Sequence, residues 1–163
     1  EMMDQEPDGP WYYQQIELGF NYRMTEIQAA LGISQLNRLT DFIKKRHEIA
    51  KIYDEKLCNI DLKLPFRNAD NYSSLHLYVI RLNLENKKYN HTRIFEQLRD
   101  NGIGVNLHYI PVHFHPYYKK LGFKKGMFPE AEKYYQEAIS IPMHPNLDIK
   151  SIDKVVSALH KLI

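Results

Sequence analysis

Every stretch of this sequence that reads as a strand is short, and helix-forming or proline-interrupted sequence separates each from the next. The longest is Leu75-His76-Leu77-Tyr78-Val79-Ile80-Arg81-Leu82, where nearly every position is apolar or aromatic, the pattern of a strand covered on both faces. Ile103–Tyr109 reads as a second strand, and Ile139-Ser140-Ile141 as a third that Pro142 and Pro145 end.

Helical patterns fill the intervals. Thr25 and Gln28 have the spacing of a capping box, so a helix is expected to start near Thr25 and to carry Ile27, Leu31, Leu36 and Leu39. Thr40 and Asp41 can cap a second stretch, in which Phe42, Ile43, Ile49, Ala50, Tyr53 and Leu57 recur every three or four residues. The two stretches read equally as one bent helix or as two. Asn90 can cap a short helix with Ile94, Phe95 and Leu98, which Gly102 stops. Pro111 and Pro116 force a loop, and Phe128-Pro129 opens a helix through Tyr134, Tyr135 and Ala138. Asp148 caps the last helix, whose apolar stripe is Ile152, Val155, Val156, Leu159 and Leu162. This order predicts an α+β domain: a small antiparallel sheet with helices packed on one face. Residues 1–17 are polar and turn-rich. Pro7-Asp8-Gly9-Pro10 cannot propagate regular structure, and Trp11, Tyr12 and Tyr13 form a cluster expected to pack on something outside this chain.

The 163 residues are enough for one domain with a core. Lys and Arg total 22 against 20 Asp and Glu, a net charge of +2, which gives no reason to expect nucleic acid or an anionic membrane as partner. No apolar run approaches the ~20 residues that cross a bilayer, and no basic-then-apolar signal segment is read. The lone Cys58 cannot form an internal disulfide, which fits a reducing cytoplasm. The sequence starts at Glu1 rather than Met, and is expected to be a piece of a longer chain.

Two constellations can carry chemistry. Asn21 and Arg23 lie just before the helix expected at Thr25, where backbone N–H groups and the positive end of the helix dipole suit an anion. By spacing alone the plainer reading is the default: Asn21 makes a turn and Arg23 is a solvated charge. His108, His113 and His115 raise the question of a metal. Their spacing matches no helical ligand pair, and no cysteine or acidic residue sits close by in sequence, so core or loop histidines are the default and no metal is expected.

The stretch Leu18-Gly19-Phe20-Asn21-Tyr22-Arg23-Met24-Thr25-Glu26-Ile27-Gln28-Ala29-Ala30-Leu31-Gly32 resembles the signature of the DegT/StrS-type sugar-nucleotide aminotransferases, which use pyridoxal phosphate (PLP). Further likeness runs through Trp11-Tyr12-Tyr13, the segment from His108 to Tyr118, Gly122-Phe123, Gly126, Phe128–Glu132 and Ala138–Asp148, essentially the whole chain. The 108–132 region is most similar to the family's 4-amino-sugar-forming members, in particular those of pseudaminic acid synthesis acting on a UDP-linked 4-keto-6-deoxy-N-acetyl sugar.

The resemblance implies the small C-terminal domain of a fold-type I PLP-dependent aminotransferase. It implies an entry segment and inter-subunit motif over 1–24, a long helical segment over 25–57 linking to a large domain, and the small domain over 58–163. It gives Asn21 to the cofactor phosphate in the neighbouring subunit's site. Arg23 goes to a substrate or donor carboxylate, for which a permanently charged, bidentate guanidinium is suited. His108, Tyr109 and His113 go to the sugar-nucleotide pocket, where imidazole and phenol groups both give and accept hydrogen bonds. The Schiff-base lysine would precede this chain, leaving the present residues without a catalytic group and inactive alone. Partners implied are the missing N-terminal large domain, a homodimer mate, glutamate and the nucleotide sugar, in the cytoplasm. A non-enzymatic binding or regulatory relative, or a related PLP-dependent sugar dehydratase, is the alternative.

Overall fold

The computed structural model describes Glu6 and residues 9–85 and 90–163. Pro7 and Asp8 of the expected turn lie outside the described residues. The chain divides into two compact units, Glu1–Asn37 and Arg38–Ile163.

In the first unit, Tyr12 N–H closes a turn on the Gly9 carbonyl at 3.0 Å, and an irregular segment leads to helix α1, Glu26–Leu36. The expected capping box is present. Thr25 Oγ1 accepts from Gln28 N–H, and Gln28 Oε1 accepts from Thr25 N–H at 2.9 Å. Among the described residues, none of α1 is buried: Ile27, Leu31, Ile33 and Leu36 are all exposed, as are Trp11 and Tyr13.

The second unit opens with α2, Leu39–Leu57, so the two helical stretches are two helices. Thr40 and Asp41 do not cap α2. The residue before the helix is Arg38, already in the right-handed helical region and making no side-chain cap. A capping side chain needs extended backbone, and here the preceding Asn37 is helical too (φ −60°), which places Thr40 and Asp41 inside the first turn. There follow β1 (Leu62–Lys63), β2 (Tyr78–Leu82), α3 (His91–Asp100), a 3-10 turn (Val112–Phe114), α4 (Pro116–Lys120), α5 (Pro129–Glu137), β3 (Ala138–Ile141) and α6 (Ile149–Leu162). Asn90 and Asp148 cap α3 and α6 as expected, through bonds from Arg93 and Ser151 N–H.

The sheet among the described residues has order β1-β2-β3, both pairs antiparallel, with Tyr78 opposite Ile141, Val79 opposite Ser140 and Ile80 opposite Ile139. One face carries Tyr78, Ile80, Leu82, Ile139 and Ile141, which share a buried cluster with Ile49, Tyr53 and Leu57 of α2, Ile94 and Leu98 of α3, and Ile152, Val155, Val156 and Leu159 of α6. The other face carries Val79, Arg81, Ala138 and Ser140. There Arg81 pairs with Glu137 at 2.7 Å and lies over the Tyr134 ring. Inside the core, burial pushes the Tyr78 hydroxyl well above its ordinary pKa, and its hydrogen bond to Asp54 (2.6 Å) adds to the shift.

Two strand expectations need correction. The segment 75–77 is not strand. Leu75 sits in the left-handed region (φ 49°), and Arg46 Nη1 donates to the carbonyls of Leu75, His76 and Met143, each at 3.0 Å. Those bonds turn the chain before β2 begins. Nor is Ile103–Tyr109 a strand. Gly102 (φ 68°) ends α3 with Gly102 N–H bonded to the Arg99 carbonyl and Ile103 N–H to the Leu98 carbonyl, a Schellman motif with Ile103 packed in the core. Val105 N–H goes to Ile103, and Leu107 N–H to Asn106 Oδ1. With these donors spent locally, only Asn106 joins the sheet, as a single bridge to Ser140.

Candidate functional site

The sequence-predicted residues fall into two groups. Asn21 and Arg23 belong to the first unit and are exposed. Arg23 Nε donates to Asn21 Oδ1 at 2.9 Å. That bond uses the amide oxygen, so the groups the pair offers outward are the Asn21 NH2 and the remaining guanidinium N–H donors. An exposed, positively charged pair rich in N–H donors is suited to phosphate or carboxylate.

His108, Tyr109 and His113 belong to the second unit, and the structure joins only the first two. The rings of His108 and Tyr109 meet edge to face at 4.7 Å, across a cis peptide bond. His108 Nδ1 lies 2.8 Å from Ser140 Oγ, which ties this loop to the centre of β3. Tyr109 is 73% exposed, so its phenol and ring face are open to a ligand.

His113 is held differently. Pro111 and Pro116 bracket a 3-10 turn in which Phe114 N–H bonds the Pro111 carbonyl, and this turns His113 inward to 6% exposure. Its Nε2 is 2.9 Å from Glu132 Oε1 on α5, and Gly126 N–H donates to the same oxygen at 2.6 Å. Gly126 has φ 92°, a conformation that a side chain would disfavour. Burial alone would raise the Glu132 carboxyl. The bonds from His113 and from the backbone at Gly126 and Phe128 more than reverse that, and hold it below the usual carboxylate range. A carboxylate only accepts, so His113 Nε2 carries the hydrogen. Beside this pair, Pro111, Val112, Tyr118, Phe123, Phe128 and Ala131 line an apolar cavity of about 350 Å³, with His113 in its wall.

His113 is thus a wall of an apolar pocket, its Nε2 already committed. The partners Glu132, Ser140 and Asn106 were not legible as such. Glu132 lies in α5 near Phe128, Pro129 and Ala131, buried beside the aromatic pocket rather than on a solvated face.

Because its folded-state pKa is lowered, Glu132 contributes stability above its unfolded value near 4.5, and that contribution is lost as pH falls through the folded value. Thermal melts of Glu132→Gln from pH 7 to pH 3 are therefore expected to start lower at neutral pH and to fall less steeply below pH 4.5 than those of the unaltered protein. Parallel curves for the two would contradict this arrangement.

Residues 3–160 match the model of the DegT/DnrJ/EryC1/StrS aminotransferase family. The chain belongs to that family. It is 36% identical over 159 residues to the spore coat polysaccharide biosynthesis protein SpsC of Bacillus subtilis, covering 96% of this chain and 41% of SpsC. It is 34% identical over 154 residues to the UDP-4-amino-4,6-dideoxy-N-acetyl-β-L-altrosamine transaminase of Campylobacter jejuni, covering 94% of this chain and 40% of that one. Among solved structures it is similar to Helicobacter pylori PseC, an aminotransferase involved in the biosynthesis of pseudoaminic acid, with TM-score 0.81 and 30% identity over 94% of this chain and 42% of that one. The chain therefore spans about two-fifths of the length of these DegT-family relatives. The α+β arrangement, with its small antiparallel sheet, is that of the corresponding part of PLP aminotransferases. No helix among the described residues is long and apolar enough to cross a membrane.

Proposed function

We propose that this chain is the C-terminal part of a PLP-dependent sugar-nucleotide aminotransferase that converts a UDP-linked 4-keto-6-deoxy sugar to the 4-amino sugar with glutamate as donor, in surface-glycan precursor synthesis. The observation that carries the reading is the Asn21–Arg23 pair: an amide NH2 and a guanidinium, linked to each other and exposed just ahead of α1, within a segment that matches the family.

The donor set fits PLP on this chain's side. The Asn21 amide N–H groups suit the cofactor phosphate, which carries only acceptors. PLP, when bound, supplies the electron sink that amino transfer requires. The chain's own residues bind and orient. Arg23 pairs with the carboxylate of glutamate. His108 and Tyr109 hydrogen-bond and stack on the sugar nucleotide, and His113 walls the neighbouring pocket. The lysine that carries the cofactor lies in the upstream domain, so this chain alone is inactive and the working unit is a homodimer in the cytoplasm. The lone, exposed Cys58 is compatible with that reducing compartment.

The test is transfer of label. The full protein is supplied with PLP, amino-15N glutamate and a UDP-4-keto-6-deoxy-N-acetyl sugar. The label is expected at carbon 4 of the sugar. Loss of water from the sugar with no nitrogen incorporated would replace this reading with a dehydratase, and no change in the sugar would reject an enzymatic role on this substrate class.

A further inference from the structure

Ser140 is a buried hydroxyl, 5% exposed, on the sheet face opposite the core. Its backbone forms a closed pair with Asn106: Ser140 N–H to the Asn106 carbonyl at 2.7 Å, and Asn106 N–H to the Ser140 carbonyl at 3.1 Å. That pairing fixes two side chains around the His108 ring. Ser140 Oγ stands 2.8 Å from Nδ1, and Asn106 Nδ2 stands 3.5 Å from Nε2. The orientation of the Asn106 amide is not arbitrary. Its oxygen accepts from Leu107 N–H at 2.8 Å, and flipping the amide would set two donors against each other.

With the amide so oriented, a donor faces Nε2. A hydrogen on Nε2 would meet the Asn106 NH2, donor against donor. The hydrogen of the neutral ring therefore belongs on Nδ1, where Ser140 Oγ accepts it, since a hydroxyl oxygen has lone pairs free for this. We infer that Ser140 and Asn106 are positioning residues that hold His108 as the Nδ1–H tautomer, so that the single Nε2 lone pair, met only by the long 3.5 Å contact from Asn106 Nδ2, is taken over by a ligand donor. Such an acceptor selects a ligand group that donates, a sugar hydroxyl or an N-acetyl N–H, and disfavours a bare carbonyl or phosphate oxygen at that point. This rests on the reading above that His108 lines the substrate pocket. The tautomer itself does not depend on that reading.

The experiment is nitrogen NMR of the full protein with 15N-labelled histidine rings, the His108 signals being assigned by their loss in His108→Gln. The expected pattern is a protonated Nδ1 and an unprotonated Nε2. Ser140→Ala should move the ring toward the Nε2–H form that free imidazoles favour, and Ser140→Thr, which keeps the hydroxyl, should restore the original pattern. A merely structural role for Ser140 would not discriminate Thr from Ala by tautomer. An Nε2–H ring in the unaltered protein, or the same tautomer in Ser140→Ala, overturns the inference. Steady-state kinetics then address the reading on which it rests. Ser140→Ala should raise KM for the sugar nucleotide roughly 2- to 10-fold, the effect of one neutral hydrogen bond, with little change in the KM for glutamate. If His108→Gln leaves KM for the sugar nucleotide unchanged, His108 does not touch the substrate and that reading fails, and the positioning of the ring is then judged by the tautomer alone.

Discussion

Replacing Asn21 by alanine is expected to raise the dissociation constant for PLP about 10- to 150-fold in the full protein, with no change in melting temperature of the cofactor-free form. The lost interaction is a hydrogen bond to a charged group, worth roughly 1.5–3 kcal/mol. The folded protein should not notice, because Asn21 is exposed and its side-chain bond is to Arg23 alone among the described contacts. Fluorescence titration with PLP measures the effect. Arg23→Ala separates the two roles. It frees the Asn21 amide oxygen but leaves its N–H donors in place, so the KM for glutamate should rise more than the cofactor dissociation constant.

The largest stability effect is expected at Ile80. It lies at the centre of the middle strand, fully buried, opposite Ile139 and against the α2–α3–α6 cluster. Ile80→Ala should cost about 2–5 kcal/mol, the range for emptying a packed core site. At roughly 2–4 °C per kcal/mol for a protein of this size, the melting temperature falls visibly. Val79, one residue away on the opposite face and only half-buried, should tolerate alanine far better. Because a slip of one residue exchanges the two faces, equal losses at 79 and 80 would mean that the strand is not registered as described.

Much of the fold was legible because it rests on local chemistry. The capping residues Thr25, Asn90 and Asp148, the stop at Gly102 and the stripe of α6 all act within a few residues of themselves. Some of what was missed depends on distant atoms, and some on local bonds that composition does not show. Arg46 on α2 takes the carbonyls of 75 and 76 out of the strand, although their side chains read as strand. The segment from Ile103 has strand-like composition, yet its N–H groups close the end of α3 and a local turn. Leu62–Lys63 is too short to signal itself and becomes β1 only by pairing with Arg81 and Leu82.

The candidate site divides the same way. Asn21 and Arg23, and the loop from His108 to His113, are readable from the sequence as candidates because motifs are contiguous. The groups that give the histidines their chemistry sit 19 and 32 residues away, Glu132 for His113 and Ser140 for His108. No periodicity pairs them. Only the fold, which lays β3 beside Asn106 and α5 beside the 3-10 turn, brings them into contact.

The central claim is that residues of this chain complete the active site of an amino-transferring enzyme across a subunit boundary. Mixed dimers test it most directly. One subunit carries Asn21→Ala and the other lacks the cofactor lysine of the upstream domain, each being inactive as its own homodimer under limiting PLP. If Asn21 serves the neighbouring site, both defects fall on one site of the mixed dimer and the other is intact, so about half the activity of an unaltered dimer should return. Mixed dimers as inactive as the two parents would show that Asn21 acts within its own subunit, and would contradict the account.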